Sequence, residues 1–188
     1  MPTHIALLRG INLGGRNKVA MSDLRTVVSS LGHADVATYI QSGNVVFSTG
    51  VADAAALAGE METAVSAALG VRPRVVVLSR DELAQVARDN PYSAEPDPRK
   101  VHAVFLSALP GPEVASAVQA AVDRFAQRGS RDTAQVIGRV IFLHTPDGFG
   151  RSDLALLITG PKAPGSPDLT TTARNWATVQ KLLAMCET

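Results

Sequence analysis

The order of apolar runs constrains this chain more than any single residue does. Residues 3–80 read as strand, helix, strand, strand, helix, strand. "THIALLRG" is an aliphatic strand ended by Gly10. "SDLRTVVSSLG" is a helix, with Ser22 as N-cap, Leu24, Val27, Val28 and Leu31 on one face, and Gly32 as its stop. "ADVATYIQ" and "NVVFST" flank a Ser42-Gly43 turn as a hairpin. "DAAALAGEMETAVSAALG" is a second helix with Leu57, Met61, Val65 and Leu69 on one stripe, and "RPRVVVLS" is a strand. This is the split βαβ order of a ferredoxin-like unit.

The second half repeats the order loosely. "RDELAQVARDN" links the halves, and the proline-rich "PYSAEPDPRK" marks the boundary. "VHAVFLSAL" is a strand, "GPEVASAVQAAVDRFAQ" a helix, and "DTAQVIG" with "RVIFLHT" a second hairpin. "SDLALLIT" is a short helix with Ser152 as its cap, and "LTTTARNWATVQKLLAMCE" reads as a closing helix capped by a threonine. The expected class is α+β: two ferredoxin-like (βαββαβ) halves with antiparallel sheets, plus a C-terminal helix. The halves are expected at residues 1–80 and 99–188, with 81–98 as linking helix and loop.

Composition narrows function mainly by exclusion. The 188 residues are 46% hydrophobic, enough for a packed core. Lys plus Arg is 18 against 17 acids, a net charge of +1, so a dedicated nucleic-acid role is not expected. An RNA-recognition domain shares the strand order but needs aromatics on its central strands, and "NVVFST" offers only Phe47. One cysteine, Cys186, excludes an intramolecular disulfide and a cysteine zinc site. The four histidines lack helical metal spacing, so no metal or cofactor is expected. The start does not read as a signal peptide and no run suits a membrane span, so a cytoplasmic location is the simplest expectation.

Two segments combine backbone freedom with positive charge. "LLRGINLGGRNK" carries Arg9, Arg16 and Lys18 with no acid, among Gly10, Gly14 and Gly15. Glycine backbone and arginine together can hold a phosphate-like anion. The spacing is neither G-x-G-x-x-G, since Asn12 takes the second glycine's place, nor a P-loop, since Arg16 and Asn17 follow Gly15. Glycines in such a connection most often serve geometry, so a plain β-to-α turn competes with the anion site. "TTTARNWATVQKLL" places Arg174 in an expected first helical turn, where a cation opposes the helix dipole. Trp176 beside it is expected in the core. The site expected from these segments has Arg9, Arg16, Lys18 and Arg174 holding charge, with Asn12, Asn175 and the backbone of Gly10, Gly14 and Gly15 orienting the ligand. The alternatives are a protein-interaction module without catalysis and a weak, non-specific nucleic-acid binder.

"LLRGINLGG", "KVAMSDLR", "TYIQSGNVVF", "PDGFGRSDL" and "TTARNWATVQKL" together resemble the bacterial domain-of-unknown-function family numbered 1697, from about Ile5 to Leu183. The resemblance implies an α+β protein of two ferredoxin-like halves. It implies no activity, so the matched Arg9, Gly10, Asn12, Gly14, Gly15, Ser42, Gly43, Asn44, Arg174, Asn175 and Trp176 mark membership only.

Overall fold

A computed structural model describes residues 1–12, 14–165 and 168–187. The chain divides into two compact units. One contains residues 1–85 and the chain from Lys181 onward; the other is Val86–Gln180.

The first unit runs β1 (His4–Arg9), α1 (Met21–Ser30), β2 (Ala34–Tyr39), β3 (Asn44–Ser48), α2 (Ala54–Leu69) and β4 (Arg74–Ser79). Its sheet has the order β2-β3-β1-β4, with every pairing antiparallel. Ala6, Leu8, Val45, Phe47, Val75 and Val77 form one core with Leu24 and Val28 of α1 and Leu57, Met61 and Val65 of α2. The alternate residues Ile5, Leu7, Val46, Val76 and Leu78 are buried as well. Burial on both faces explains why these strands read as unbroken apolar runs rather than as an alternating pattern. The Asp53 carboxylate accepts from Ala55 N at 2.9 Å and Ala56 N at 3.0 Å, which starts α2, and Gly70 ends it in the left-handed region at φ 67°.

Helix α1 begins one residue before the expected cap. Its N-cap is Ala20, which makes no side-chain capping bond. Half-buried Met21 packs against the core and joins the helix, while the Ser22 hydroxyl turns to Asp23 at 3.2 Å. Helix α3 (Arg80–Asp89) opens on a reciprocal pair: Glu82 N donates to Ser79 Oγ at 3.1 Å, and Ser79 N donates to Glu82 Oε2 at 2.8 Å.

The second unit contains β5 (Val101–Leu106), α4 (Pro112–Ala126), β6 (Thr133–Ile137), β7 (Val140–His144), α5 (Asp153–Thr159), β8 (Thr171–Asn175) and the start of α6 (Trp176–Met185). Its antiparallel sheet has the order β6-β7-β5-β8, so both halves carry the ferredoxin-like order. Val104, Leu106, Ile141 and Leu143 pack with Val118, Val122 and Phe125 of α4 and with Leu154, Ala155 and Ile158 of α5. Pro112 starts α4, and the Ser152 hydroxyl caps α5 by accepting from Ala155 N at 2.8 Å.

One expectation fails here. The threonine run is a strand, not the head of the closing helix. Residues Thr171–Asn175 pair with β5, with Thr172 opposite Phe105 and Arg174 opposite Ala103. Thr171 and Thr172 are β-branched and suit a pleated, buried surface. The true helix start is marked by Asn175, whose Oδ1 accepts from Thr178 N at 2.9 Å. Trp176 is buried as expected, with its ring 6.1 Å from that of Phe142.

Gly43 has the tightest steric demand in the first unit. It sits at φ 75°, and a β-carbon there would lie 2.8 Å from Leu8 Cβ and 2.9 Å from Ile11 Cδ1. Gly43→Ala is expected to destabilise the protein by about 2–4 kcal/mol, combining left-handed strain with overpacking. Gly50→Ala, where the added methyl meets nothing within 4 Å, is expected to stay within about 0.5 kcal/mol. Equilibrium urea unfolding followed by circular dichroism measures both.

Candidate functional site

Strand β1 delivers the chain to the glycine-rich loop at Arg9. Among the described residues 10–12 and 14–17, five adopt left-handed backbone: Gly10, Asn12, Gly14, Gly15 and Asn17. Glycine takes that region without a steric penalty, and asparagine is among the side chains that tolerate it best. Ile11 and Val19 are buried at the two ends, while Gly14, Gly15, Arg16, Asn17 and Lys18 are exposed between them. The loop is thus anchored at its base and open at its crest.

Two asparagines brace it. Asn12 N donates to Asn17 O at 2.9 Å, and Asn17 Nδ2 donates back to Gly10 O at 2.8 Å. The Asn12 carboxamide accepts from Val19 N at 2.8 Å and donates to Val19 O at 3.0 Å and to Gln41 O at 2.9 Å. That last bond ties the loop to the β2–β3 hairpin, where Leu8 N also donates to Gly43 O at 2.7 Å. The "LLRGINLGG" and "TYIQSGN" motifs therefore form one structural block in the first unit. Asn12 acts on the loop itself: its side chain is committed to backbone. The hairpin tip is held as firmly. Asn44 is fully buried and donates to Tyr39 O at 3.0 Å and Ser42 Oγ at 2.9 Å. Ile40 is β-branched, 51% exposed and left-handed at φ 47°, a conformation that survives only where its surroundings dictate it.

The charge around this block is one-sided. Arg16 and Lys18 stand exposed on the crest, and half-buried Arg9 stands at the root, directly opposite Arg74 in the β1–β4 register. Like charges opposed across strands are unfavourable. Arg74 lies 3.5 Å from Glu62.

Arg174 and Asn175 belong to the second unit, on β8. Arg174 is only 8% exposed, and burial pushes its pKa down to about 10, so it remains charged at neutral pH. Its Nη1 donates to Thr172 Oγ1 and to Ala173 O, each at 2.8 Å. The expected conflict with a helix dipole does not arise, because Arg174 lies on a strand. Asn175 is occupied as the α6 cap.

The histidines are embedded in local contacts. His144 pairs with Glu95 at 2.7 Å and stacks on Tyr92 at 5.3 Å. The buried side chain of His33 lies 4.9 Å from the Phe47 ring. His102 stacks on Phe149 at 4.0 Å, and its Nδ1 is buried without a hydrogen-bond partner among the described residues. Burial raises the pKa of the Cys186 thiol, the opposite of what a nucleophile needs. Among the described residues no group of three or more potential ligands could hold a metal ion, and no helix is long and apolar enough to cross a membrane.

The family model described as "Protein of unknown function (DUF1697)" matches residues 1–142. That span includes the whole loop–hairpin block. A solved structure described as conserved bacterial protein SP0830 from Streptococcus pneumoniae is similar, with a TM-score of 0.69, 23% identity and 98% coverage of each chain. This likeness concerns the fold. Among curated proteins, none matches.

His102 makes stability depend on pH. Burial depresses its pKa from 6.5 to about 4. Between those values the unfolded chain binds a proton that the folded chain refuses, so stability is lost as pH falls from 6.5 towards 4 and is level above 6.5. The full effect is about 3 kcal/mol. His102→Phe is expected to flatten that part of the profile by this amount, read as the difference between wild-type and variant urea midpoints across the range.

Proposed function

Since the chain belongs to the DUF1697 family, whose description carries no activity, we propose a function from the loop itself. The protein binds a small anionic molecule, a phosphate or nucleotide, on the crest between Gly10 and Lys18. One observation carries this reading: a loop with five left-handed positions, cross-braced by Asn12 and Asn17, holds an exposed Gly-Gly-Arg segment and a lysine with no acid in the same stretch. Preorganisation favours binding, and the hydrogen bonds of Asn12 and Asn17 supply it before any ligand arrives. Successive backbone N–H groups around left-handed residues suit anion-binding concavities, and arginine adds a planar donor fork.

Roles divide along the loop. Gly14, Gly15 and Arg16 offer backbone and guanidinium donors, and Lys18 adds a point charge. Arg9 and Gly10 form the root, and Asn12 keeps the shape. Arg174 and Asn175 have local roles in their own unit, as a buried strand cation and a helix cap, and the loop reading does not rest on them.

Thermal shift and calorimetry with inorganic phosphate, a sugar phosphate and ADP test the proposal. A binding member of the panel at a hundredfold its Kd should stabilise the protein by about 2.7 kcal/mol. The exposed double substitution Arg16→Ala/Lys18→Ala should weaken binding at least about tenfold without lowering the unliganded melting temperature. No shift with any of the three, or a shift that the double variant retains, removes the proposal.

A further inference from the structure

The second unit holds a polar cavity of about 290 Å³ where the end of α4 meets the turn before α5. Its most buried polar residues are Asp132 and Ser152, each 7% exposed. This carboxylate is fixed in place. Ser152 Oγ donates to Asp132 Oδ2 at 2.7 Å, and because the same oxygen accepts from Ala155 N, its own proton is directed at the carboxylate. Asp132 N donates to Ser130 Oγ at 3.2 Å. Among the described residues no cation lies within ion-pair distance of Asp132. The neighbouring Arg131 attracts Asp132 electrostatically, but its Nε and Nη2 engage Asp147.

The cavity also has a cationic side. Arg128 and Arg151 line it on exposed positions, with no carboxylate at ion-pair distance among the described residues. Asp147 and Asp153 complete the charged lining; Asp147 is neutralised by Arg131, and Asp153 stands exposed at the start of α5. A buried carboxylate with no cation in direct contact is stabilised by a ligand that brings one. A lone anion would meet that carboxylate, and a lone amine would meet the two arginines. A molecule with both charges close together satisfies both sides.

We propose that this cavity binds a small zwitterion of the α-amino-acid class, its ammonium on Asp132 and its carboxylate on Arg128 and Arg151. The volume suits a ligand of amino-acid size rather than a nucleotide. Asp132 supplies the charge-assisted acceptor, and Ser152 holds it in one rotamer. The site belongs to the second unit and does not rest on the anion reading.

Ligand-observed NMR and calorimetry on the full chain test this, with each of the common amino acids, with ethylamine as the amine alone, and with acetate as the carboxylate alone. At least one amino acid should bind, and both half-ligands should bind at least about tenfold more weakly. Asp132→Asn, nearly isosteric, should weaken amino-acid binding by a similar factor with an unchanged circular dichroism spectrum. Arg128→Gln/Arg151→Gln, on exposed side chains, should do likewise and decides the matter if Asp132→Asn does not fold. Arg16→Ala/Lys18→Ala should leave it unchanged. No binding by any amino acid, equal or tighter binding of acetate or ethylamine, or binding that the arginine double variant retains overturns the proposal.

Discussion

A buried strand must have its backbone hydrogen bonds met on both edges, and the rest of each unit follows from that demand. β1 and β5 are the central strands, and their side chains from Ile5 to Leu8 and from Val101 to Leu106 are buried throughout. Neither can border water. β3 and β4 flank β1, and β7 and β8 flank β5. The hairpins supply one flank in each unit. The other flank must come from chain that returns after a helix, which places β4 and β8 where they are.

That demand explains what could be read from the amino-acid order and what could not. β1, β3, β4, β5 and β7 are legible because both of their faces are buried, so each appears as a compact apolar run. Helix α2 is legible from the spacing of Leu57, Met61 and Val65. β8 is not legible locally. Its sequence is polar, Thr-Thr-Ala-Arg-Asn, and it lies next to a real helix, so the periodicity of α6 extends visually across it. What makes it a strand is the open edge of β5, a tertiary condition that a local window does not contain. The start of α1 lies one residue earlier for a related reason: packing of half-buried Met21 against the core outweighs the capping preference of Ser22.

The candidate loop was visible as glycine and charge, but its construction was not. Asn12 looks like a ligand contact in a string of loop residues. In space it joins the loop to Gln41, and the signal for that was topological: once β1 and β3 are neighbours and antiparallel, the end of β1 must meet the beginning of β3. Arg174 shows the converse. Its charge was conspicuous, and its strand environment, with Thr172 beside it, depended wholly on recognising β8. Of the Asp132 cavity only the "PDGFGRSDL" side was visible locally; Asp132 itself lies 20 residues from Ser152, and nothing in the sequence joins them.

The division of the chain has a consequence for synthesis. Residues 86–180 stand, in sequence, between two parts of the first unit. A ribosome therefore releases the second unit's entire sequence before Lys181 and the residues after it reach the unit that β1 began. The sheet of the first unit can pair early, since β1 to β4 are contiguous, but the unit becomes complete only when the last turns of α6 emerge. Residues on both sides of the second unit in sequence share one compact body, so its maturation is tied to synthesis of the chain through α6 rather than to the order in which its strands appear.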